Sequence, residues 1–331
     1  MKDKITELNL DGYADTNMEM RLAKAIARAG ICSRRDAEKL IVDERVSVNG
    51  KMVVSPATTV HTTDKIVVDG KKIPAFEPTR LWTYYKPCGL VTTNRDEKGR
   101  ETIFEDLPQD MPRVITIGRL DINSEGLLLL TNDGDLARTL ELPSNGWERT
   151  YRVRVHGRLN AERLKSLENG ITIEGVKYDS IKATMENDEQ ISSNTWIKVT
   201  LVEGKNREIR RVMDHLGYPV NRLIRVSYGP FSLSDMNKSE VREVTAGQIR
   251  LKALGEKPKA SWAKAKPKNK VKPLHKARAK KARARKAGKL EPGFANRTND
   301  RAMARANARP SVKTAIIDTT SVKYSERKPK S

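Results

Sequence analysis

The stretch Ile117-Gly118-Arg119-Leu120-Asp121-Ile122-Asn123-Ser124-Glu125-Gly126-Leu127-Leu128-Leu129-Leu130-Thr131-Asn132-Asp133-Gly134-Asp135 sets a polar loop, bounded by Gly118 and Gly126, between apolar runs. An acidic side chain in such a loop is held beside a packed core, where burial and neighbouring charges tune its ionisation. Asp121 is therefore a candidate for carboxylate chemistry, as a covalent nucleophile or as a group that handles a proton. The same spacing also suits an Asp that only caps a turn. Glu125 and Asp133 are acidic neighbours, but paired-carboxylate chemistry at a glycosidic bond needs a defined separation in space, so a single carboxylate is carried forward. His156 and His215 have no Cys or carboxylate at ligand spacing and read as structural. Cys32 and Cys88 stand far apart, which fits a reducing compartment without a disulfide framework. No metal or cofactor is expected.

A second concentration of chemistry is basic. Lys and Arg number 64 against 42 Asp and Glu, a net charge of +22. Residues 256–331 hold 24 of the basic residues and 5 of the acidic ones, so the body before them is close to neutral. A block of like charge with so few large apolar side chains cannot bury enough surface to offset its ordering entropy; 255–331 reads as a disordered tail with sequence-independent, salt-sensitive affinity for a polyanion such as nucleic acid. The chain has no run of about 20 apolar residues that would span a membrane, and its first residues are too polar for a signal peptide. The cytoplasm is the expected compartment, with no membrane partner.

These residues need elements to hold them. Residues 1–19 read as a flexible leader. Leu22, Ala25, Ile26 and Ala29 recur at helical spacing with Gly30 as a stop, and Ser33 caps a second helix carrying Ala37, Leu40 and Ile41. Val46 to Val53 reads as a hairpin, because Asn49-Gly50 supplies the positive φ angles of a tight turn. With a strand over 65–70, this makes a small α+β domain over 20–72, and 73–79, with two prolines, is a linker. The larger region, 80–254, has strands expected over 81–85, 127–130, 151–155, 195–202 and 222–226, and helices over 135–142, 161–168 and 207–216. That order is not a steady βαβ alternation, so the fold class is α+β with a mostly antiparallel sheet and flanking helices.

Arg21-Leu22-Ala23-Lys24, Gly30-Ile31-Cys32-Ser33-Arg34-Arg35-Asp36-Ala37 and Val46-Ser47-Val48-Asn49-Gly50 together resemble the S4-like RNA-binding module. Arg21, Lys24, Ser33, Arg34, Arg35 and Asn49 are then its RNA-contact candidates. The basic ones sit near helix N-termini, where backbone N–H groups also favour phosphate, and a guanidinium offers two parallel donors. Shape and backbone contacts, not a long base sequence, would select the site.

Gly-Arg-Leu-Asp at 118–121 followed by Gly-Leu-Leu-Leu-Leu-Thr-Asn-Asp-Gly at 126–134 is similar to the signature of the RsuA/RluB-type pseudouridine synthases. Lys86-Pro87-Cys88-Gly89, Tyr151 and Gly204-Lys205-Asn206-Arg207-Glu208-Ile209-Arg210-Arg211 resemble further motifs of that family, in the same order. The resemblance implies an isomerase that turns a uridine of ribosomal RNA into its C-glycoside without cofactor, with Asp121 as the catalytic carboxylate. It implies Tyr151 as a face for the extruded uracil and Arg210 as the cation paired with Asp121. Arg119, Arg207 and Arg211 are assigned to RNA phosphate, Arg207 standing where the wider superfamily often has His. Lys86 and Pro87 read as a structural turn. Arg149 departs from the family pattern, which leaves its role open. Leu223-Ile224-Arg225-Val226 with Tyr228-Gly229 points to large-subunit (23S) RNA or its precursor particle as partner, with the chain acting as a monomer. The competing reading is a noncatalytic RNA-binding assembly factor, which would have no need to keep Asp121, Tyr151 and Arg210 together.

Overall fold

The computed structural model describes residues 18–186 and 193–255. Nearly all of the expected leader, and the Lys/Arg-rich tail beyond Gly255, lie outside the described residues. The chain begins with β1 (Glu19–Arg21), α1 (Leu22–Arg28), α2 (Arg34–Val42), β2 (Val46–Val48), β3 (Lys51–Met52), β4 (Thr59–His61), β5 (Ile66–Val68) and β6 (Lys71–Lys72). Ser33 caps α2, its Oγ accepting from the Asp36 N–H at 3.2 Å. Asn49 and Gly50 adopt φ of 51° and 83°, closing the β2–β3 hairpin. Leu22, Ile26, Ile41, Val46 and Ile66 form the buried centre of this first unit.

The second unit runs through β7 (Leu81–Lys86), β8 (Ile115–Ile117), β9 (Glu125–Thr131), α3 (Gly134–Glu141), β10 (Arg149–His156), α4 (Ala161–Ser166), β11 (Ile171–Ile173), β12 (Val176–Tyr178), β13 (Ile181–Met185) and β14 (Asn194–Leu201). It ends with α5 (Glu208–His215), β15 (Val220–Tyr228), β16 (Phe231–Ser232), β17 (Val241–Val244) and α6 (Ala246–Ala253). One large sheet has the order β13-β14-β10-β15-β9-β7-β17, with β8 beside β9 and β16 beside β15. Every pairing in it is antiparallel except β9 with β15. The α+β class and the mostly antiparallel sheet expected from the sequence are both found. In this unit β8, β11, β12, β13, β16, β17 and α6 were not among the expected elements; the strands are short, and β17 is fixed by pairing with the distant β7.

The sheet is packed on both faces. Tyr84, Leu128, Tyr151, Val153 and Val199 belong to one core, and Leu81, Leu127, Leu129, Leu136 and Ile224 to the other. β9, buried at every position, feeds both. Gly126 is required where β9 meets β15, because its φ is 111° and a Cβ there would lie 2.3 Å from the Arg225 carbonyl oxygen.

The two units meet at the far end of β9. Arg28 of α1, with a side chain only 4% exposed, approaches Asp133 (2% exposed) at 3.7 Å and donates to the Asn132 carbonyl at 3.2 Å and the Glu77 carbonyl at 2.6 Å. Thr79 Oγ1 donates to the same Asp133 carboxylate at 2.5 Å, and Asn132 bonds both the Arg80 N–H and the Pro78 carbonyl. Lys24 adds an ion pair of 2.6 Å with Asp135. A buried charge deprived of its partner typically costs about 3 kcal/mol or more. Arg28→Met is therefore expected to destabilise the protein by about 3 kcal/mol, and Thr79→Val, which removes one neutral donor, by about 1 kcal/mol. Urea titration followed by tryptophan fluorescence checks this ranking, and equal small shifts for both variants would refute it.

Candidate active site

The loop between β8 and β9 is built around Lys86, the last residue of β7, whose side chain is fully buried. Its ammonium donates to the carbonyls of Pro87 at 3.1 Å, Asp121 at 3.0 Å and Ser124 at 2.8 Å. Burial pushes its pKa down to about 8, so the ammonium is still the prevailing form at neutral pH. The Gly89 N–H donates to the Ile122 carbonyl at 2.8 Å and Thr92 Oγ1 to the Leu120 carbonyl at 2.8 Å. Four of the five carbonyl groups from Leu120 to Ser124 are thus tied to Lys86 and the segment that follows it, the exception being Asn123. Arg210 takes that one, donating to it at 2.8 Å.

Asp121 and Tyr151 share the wall of a cavity of about 410 Å³, a size typical of small-molecule sites. Tyr151 lies on β10 at a register shift between Thr150 and Tyr151, and such a bulge re-aims side chains beside a site. Arg119 also lines the cavity and is exposed. Arg210 does not reach Asp121 as expected: its guanidinium donates to the carbonyls of Val220 and Asn123. Arg207 is the cation nearest the carboxylate, 3.7 Å away. The cause is local geometry. Arg207 is the N-cap of α5 in the left-handed region, φ 52°. Arg211, one turn further, is exposed and is not on the cavity wall.

Four cavity residues were not singled out as site candidates from the sequence. Arg225 is 3% exposed, donates through Nε to the Leu127 carbonyl at 2.8 Å, stacks over Tyr228 at 5.2 Å, and leaves Nη2 without a partner. A lone Arg inside the apolar run 223–226 was the available signal. Ser124 Oγ is also buried and unpartnered on this wall. Arg149 lies over Tyr228 and donates to the carbonyls of Val202 and Glu203, pinning the turn before α5. Glu208 caps that turn by accepting the Lys205 N–H at 2.8 Å, while its Oε1 is buried without a partner. Glu125, in contrast, is neutralised by Arg222 at 2.5 Å and Lys238 at 3.0 Å, a structural ion cluster.

In the first unit the RNA-contact candidates divide. Arg35 is exposed, and among the described residues no hydrogen bond or ion pair engages it. Arg21 is exposed and donates to the Ala57 carbonyl. Lys24 is held by Asp135, and an Arg34 nitrogen lies 3.1 Å from where a Cβ on Gly134 would stand, so both turn toward the second unit. Ser33 Oγ, besides capping, donates to the Asp36 carboxylate at 2.6 Å. The Asn49 amide is engaged at both ends, by Asp64 at 2.8 Å and by the Lys65 N–H at 2.9 Å. Ser33 and Asn49 thus each hold internal bonds within their own turns.

Burial, together with the charge of Glu203, pushes the Glu208 carboxyl up to about 7. A folded-state pKa above the unfolded one means that the folded protein holds the extra proton between about pH 4.5 and 7. Stability should decline as pH rises through that window, by up to about 3 kcal/mol from this group. Glu208→Gln is expected to flatten that decline in thermal or urea unfolding measured across pH 4.5 to 8; an unchanged slope would contradict it.

The RNA pseudouridylate synthase family profile matches residues 80–215 and the S4 domain profile matches residues 20–66. A protein of Rickettsia bellii (strain RML369-C) named an uncharacterized RNA pseudouridine synthase is 54% identical over 227 residues, 68% of this chain and 96% of that one. The ribosomal large subunit pseudouridine synthase B of Bacillus subtilis (strain 168) is 38% identical over 246 residues, 73% of this chain and 99% of that one. A crystal structure of a pseudouridylate synthase superposes with a TM-score of 0.49 at 26% identity, covering 70% of this chain and 98% of that one. With a tethered carboxylate loop, a cavity shared with a bulged tyrosine and these relatives across both units, the chain belongs to the RNA pseudouridine synthase family and carries an S4 domain.

Proposed function

We propose that this enzyme isomerises one uridine of large-subunit ribosomal RNA, with Asp121 as the reacting carboxylate, residues 80–254 as the catalytic domain and residues 20–72 as the domain that holds the RNA. The observation that carries the assignment of Asp121 is the loop itself. Lys86, Gly89, Thr92 and Arg210 fix the backbone from Leu120 to Ser124 while leaving the Asp121 side chain on the cavity wall beside an arginine.

In the reaction the bond from N1 of uracil to C1′ of the ribose breaks, the base turns, and C5 bonds to C1′. The proton lost from C5 is balanced by one gained at N1. An ionised carboxylate serves either as the nucleophile at the sugar or as the group that takes a sugar proton. Arg207 stands 3.7 Å from that carboxylate. Tyr151 offers a flat face to the extruded base, and extrusion itself costs a few kcal/mol that contacts in the cavity must offset. Arg119, exposed at the rim, is suited to a phosphate of the flipped nucleotide, as are Arg35 and Arg21 on the first domain.

The large-subunit target rests on the Bacillus subtilis relative and on similar ones from Pasteurella multocida and Yersinia pestis, 42% and 41% identical. We take the enzyme to act as a monomer, and a ribosomal RNA partner supports a cytoplasmic location. Among the described residues no helix is long and apolar enough to cross a membrane.

Incubating the wild type and Asp121→Asn with unmodified large-subunit RNA, then mapping pseudouridine by carbodiimide-dependent reverse-transcriptase stops, tests the assignment. The wild type should yield a discrete stop, and the variant should lose activity by on the order of 10³-fold or more while binding RNA as before. Activity retained by Asp121→Asn would move the reaction to another residue, and stops confined to small-subunit RNA would overturn the target.

A further inference from the structure

Alternation along a strand places Arg152 and Arg154 on the face of β10 opposite Tyr151 and Val153. On that face Arg152 stands across from Lys198 of β14 and Arg154 across from Trp196, while Arg154 also faces Arg222 of β15. Lys182 and Thr184 of β13 continue the same face, Thr184 across from Lys198. Toward β9 the face is covered by the core containing Leu127, Leu129 and Leu136 of α3. Toward β13 it is open: Arg152, Arg154, Lys182 and Lys198 are exposed.

The charges on this open area are not equivalent. Arg152 is held in a two-bond pair with Glu186 at 2.6 and 2.7 Å, and Arg222 in a pair with Glu125 at 2.5 Å. Both guanidiniums also lie over Trp196, at 4.5 and 5.8 Å from its ring centre. The indole is thus occupied by cations and is closed to a stacking base. Arg154, Lys182 and Lys198 are engaged by no hydrogen bond or ion pair among the described residues. Three cations unengaged among the described residues, on a hydrogen-bonded sheet beside an aromatic that is already covered, suit phosphates and do not suit base readout.

We propose that Arg154, Lys182 and Lys198 form a second RNA-contact surface, on the sheet face away from the cavity, that takes backbone phosphates remote from the target uridine. This rests on the RNA-modifying reading given above. β13 is the edge of the sheet, so RNA that fills the cavity reaches this surface only by passing round that edge. A short hairpin holding the target nucleotide does not engage it, whereas extended ribosomal RNA does.

The test uses the full chain with Arg154→Gln, Lys182→Gln and Lys198→Gln combined, and a control in which the three positions become Lys, Arg and Arg. Binding to protein-free large-subunit RNA is measured from low to moderate salt, alongside modification of a short hairpin carrying the mapped uridine. Each phosphate contact contributes about 0.7 to 0.9 to the slope of log affinity against log salt, so the neutralised variant should lose about 2 units of slope. The control should keep the slope, and hairpin modification should match the wild type in both. An unchanged slope in the neutralised variant overturns the proposal. So does weakened binding to a ribosomal precursor particle with none to naked RNA, which would assign the surface to an acidic protein. If the wild type modifies neither RNA, the catalytic reading fails, while the slope comparison still decides whether this face binds RNA.

Discussion

A buried ammonium organises this enzyme. Lys86 sits inside the protein with no carboxylate beside it in a direct pair; it is held by three backbone carbonyls, two of them from the loop that carries Asp121. Burying a charge is costly unless its donors are all engaged, and an ammonium has three donors to engage. The loop therefore has one conformation that satisfies the lysine, and this same conformation presents the Asp121 side chain to the cavity. Carbonyls that converge on Lys86 cannot point at the cavity, which leaves the carboxylate as the loop's anionic group there. The positioning of the Asp121 side chain and the burial of Lys86 are the same constraint.

β9 extends that constraint in both directions. Its first residues leave the carboxylate loop and lie so close to β15 that only glycine fits at 126, and this approach brings Arg225 to the cavity wall. Its last residue leads into Asn132 and Asp133, the turn that receives Arg28 of the first domain. One fully buried strand therefore connects the Asp121 loop to the S4 domain through hydrogen-bonded backbone.

Cations around the cavity are sorted by what already holds them. Arg149 and Arg225 grip backbone carbonyls and an aromatic ring, Arg210 grips the carboxylate loop, and Arg207 faces Asp121 across 3.7 Å. The family motif at 204–211 is consequently a structural and an electrostatic device at once: its turn places one arginine against the loop's backbone and the next against its side chain. Arg119 and Arg211 are exposed.

The sequence by itself determined much of the local structure. Ser33 announced a helix start and Asn49-Gly50 a hairpin, because capping and positive φ are properties of a few neighbouring atoms. It also determined the family, through motifs whose residue types are tied to one chemistry, and it singled out Asp121, since a polar loop squeezed between apolar runs is visible in order alone. What each polar side chain touches was decided only by the tertiary structure. Ser33 and Asn49 satisfy their own turns, Lys24 and Arg34 face the joint between domains, and Arg207 in place of Arg210 approaches Asp121 because a left-handed residue at the start of α5 turns it there. Lys86 read as a turn residue and proved to be the anchor of the Asp121 loop, which order along the chain does not reveal because its acceptors lie one, 35 and 38 residues away. A cation's partner is set by which carbonyls and carboxylates the fold brings within about 3 Å, and no spacing along the chain carries that distance.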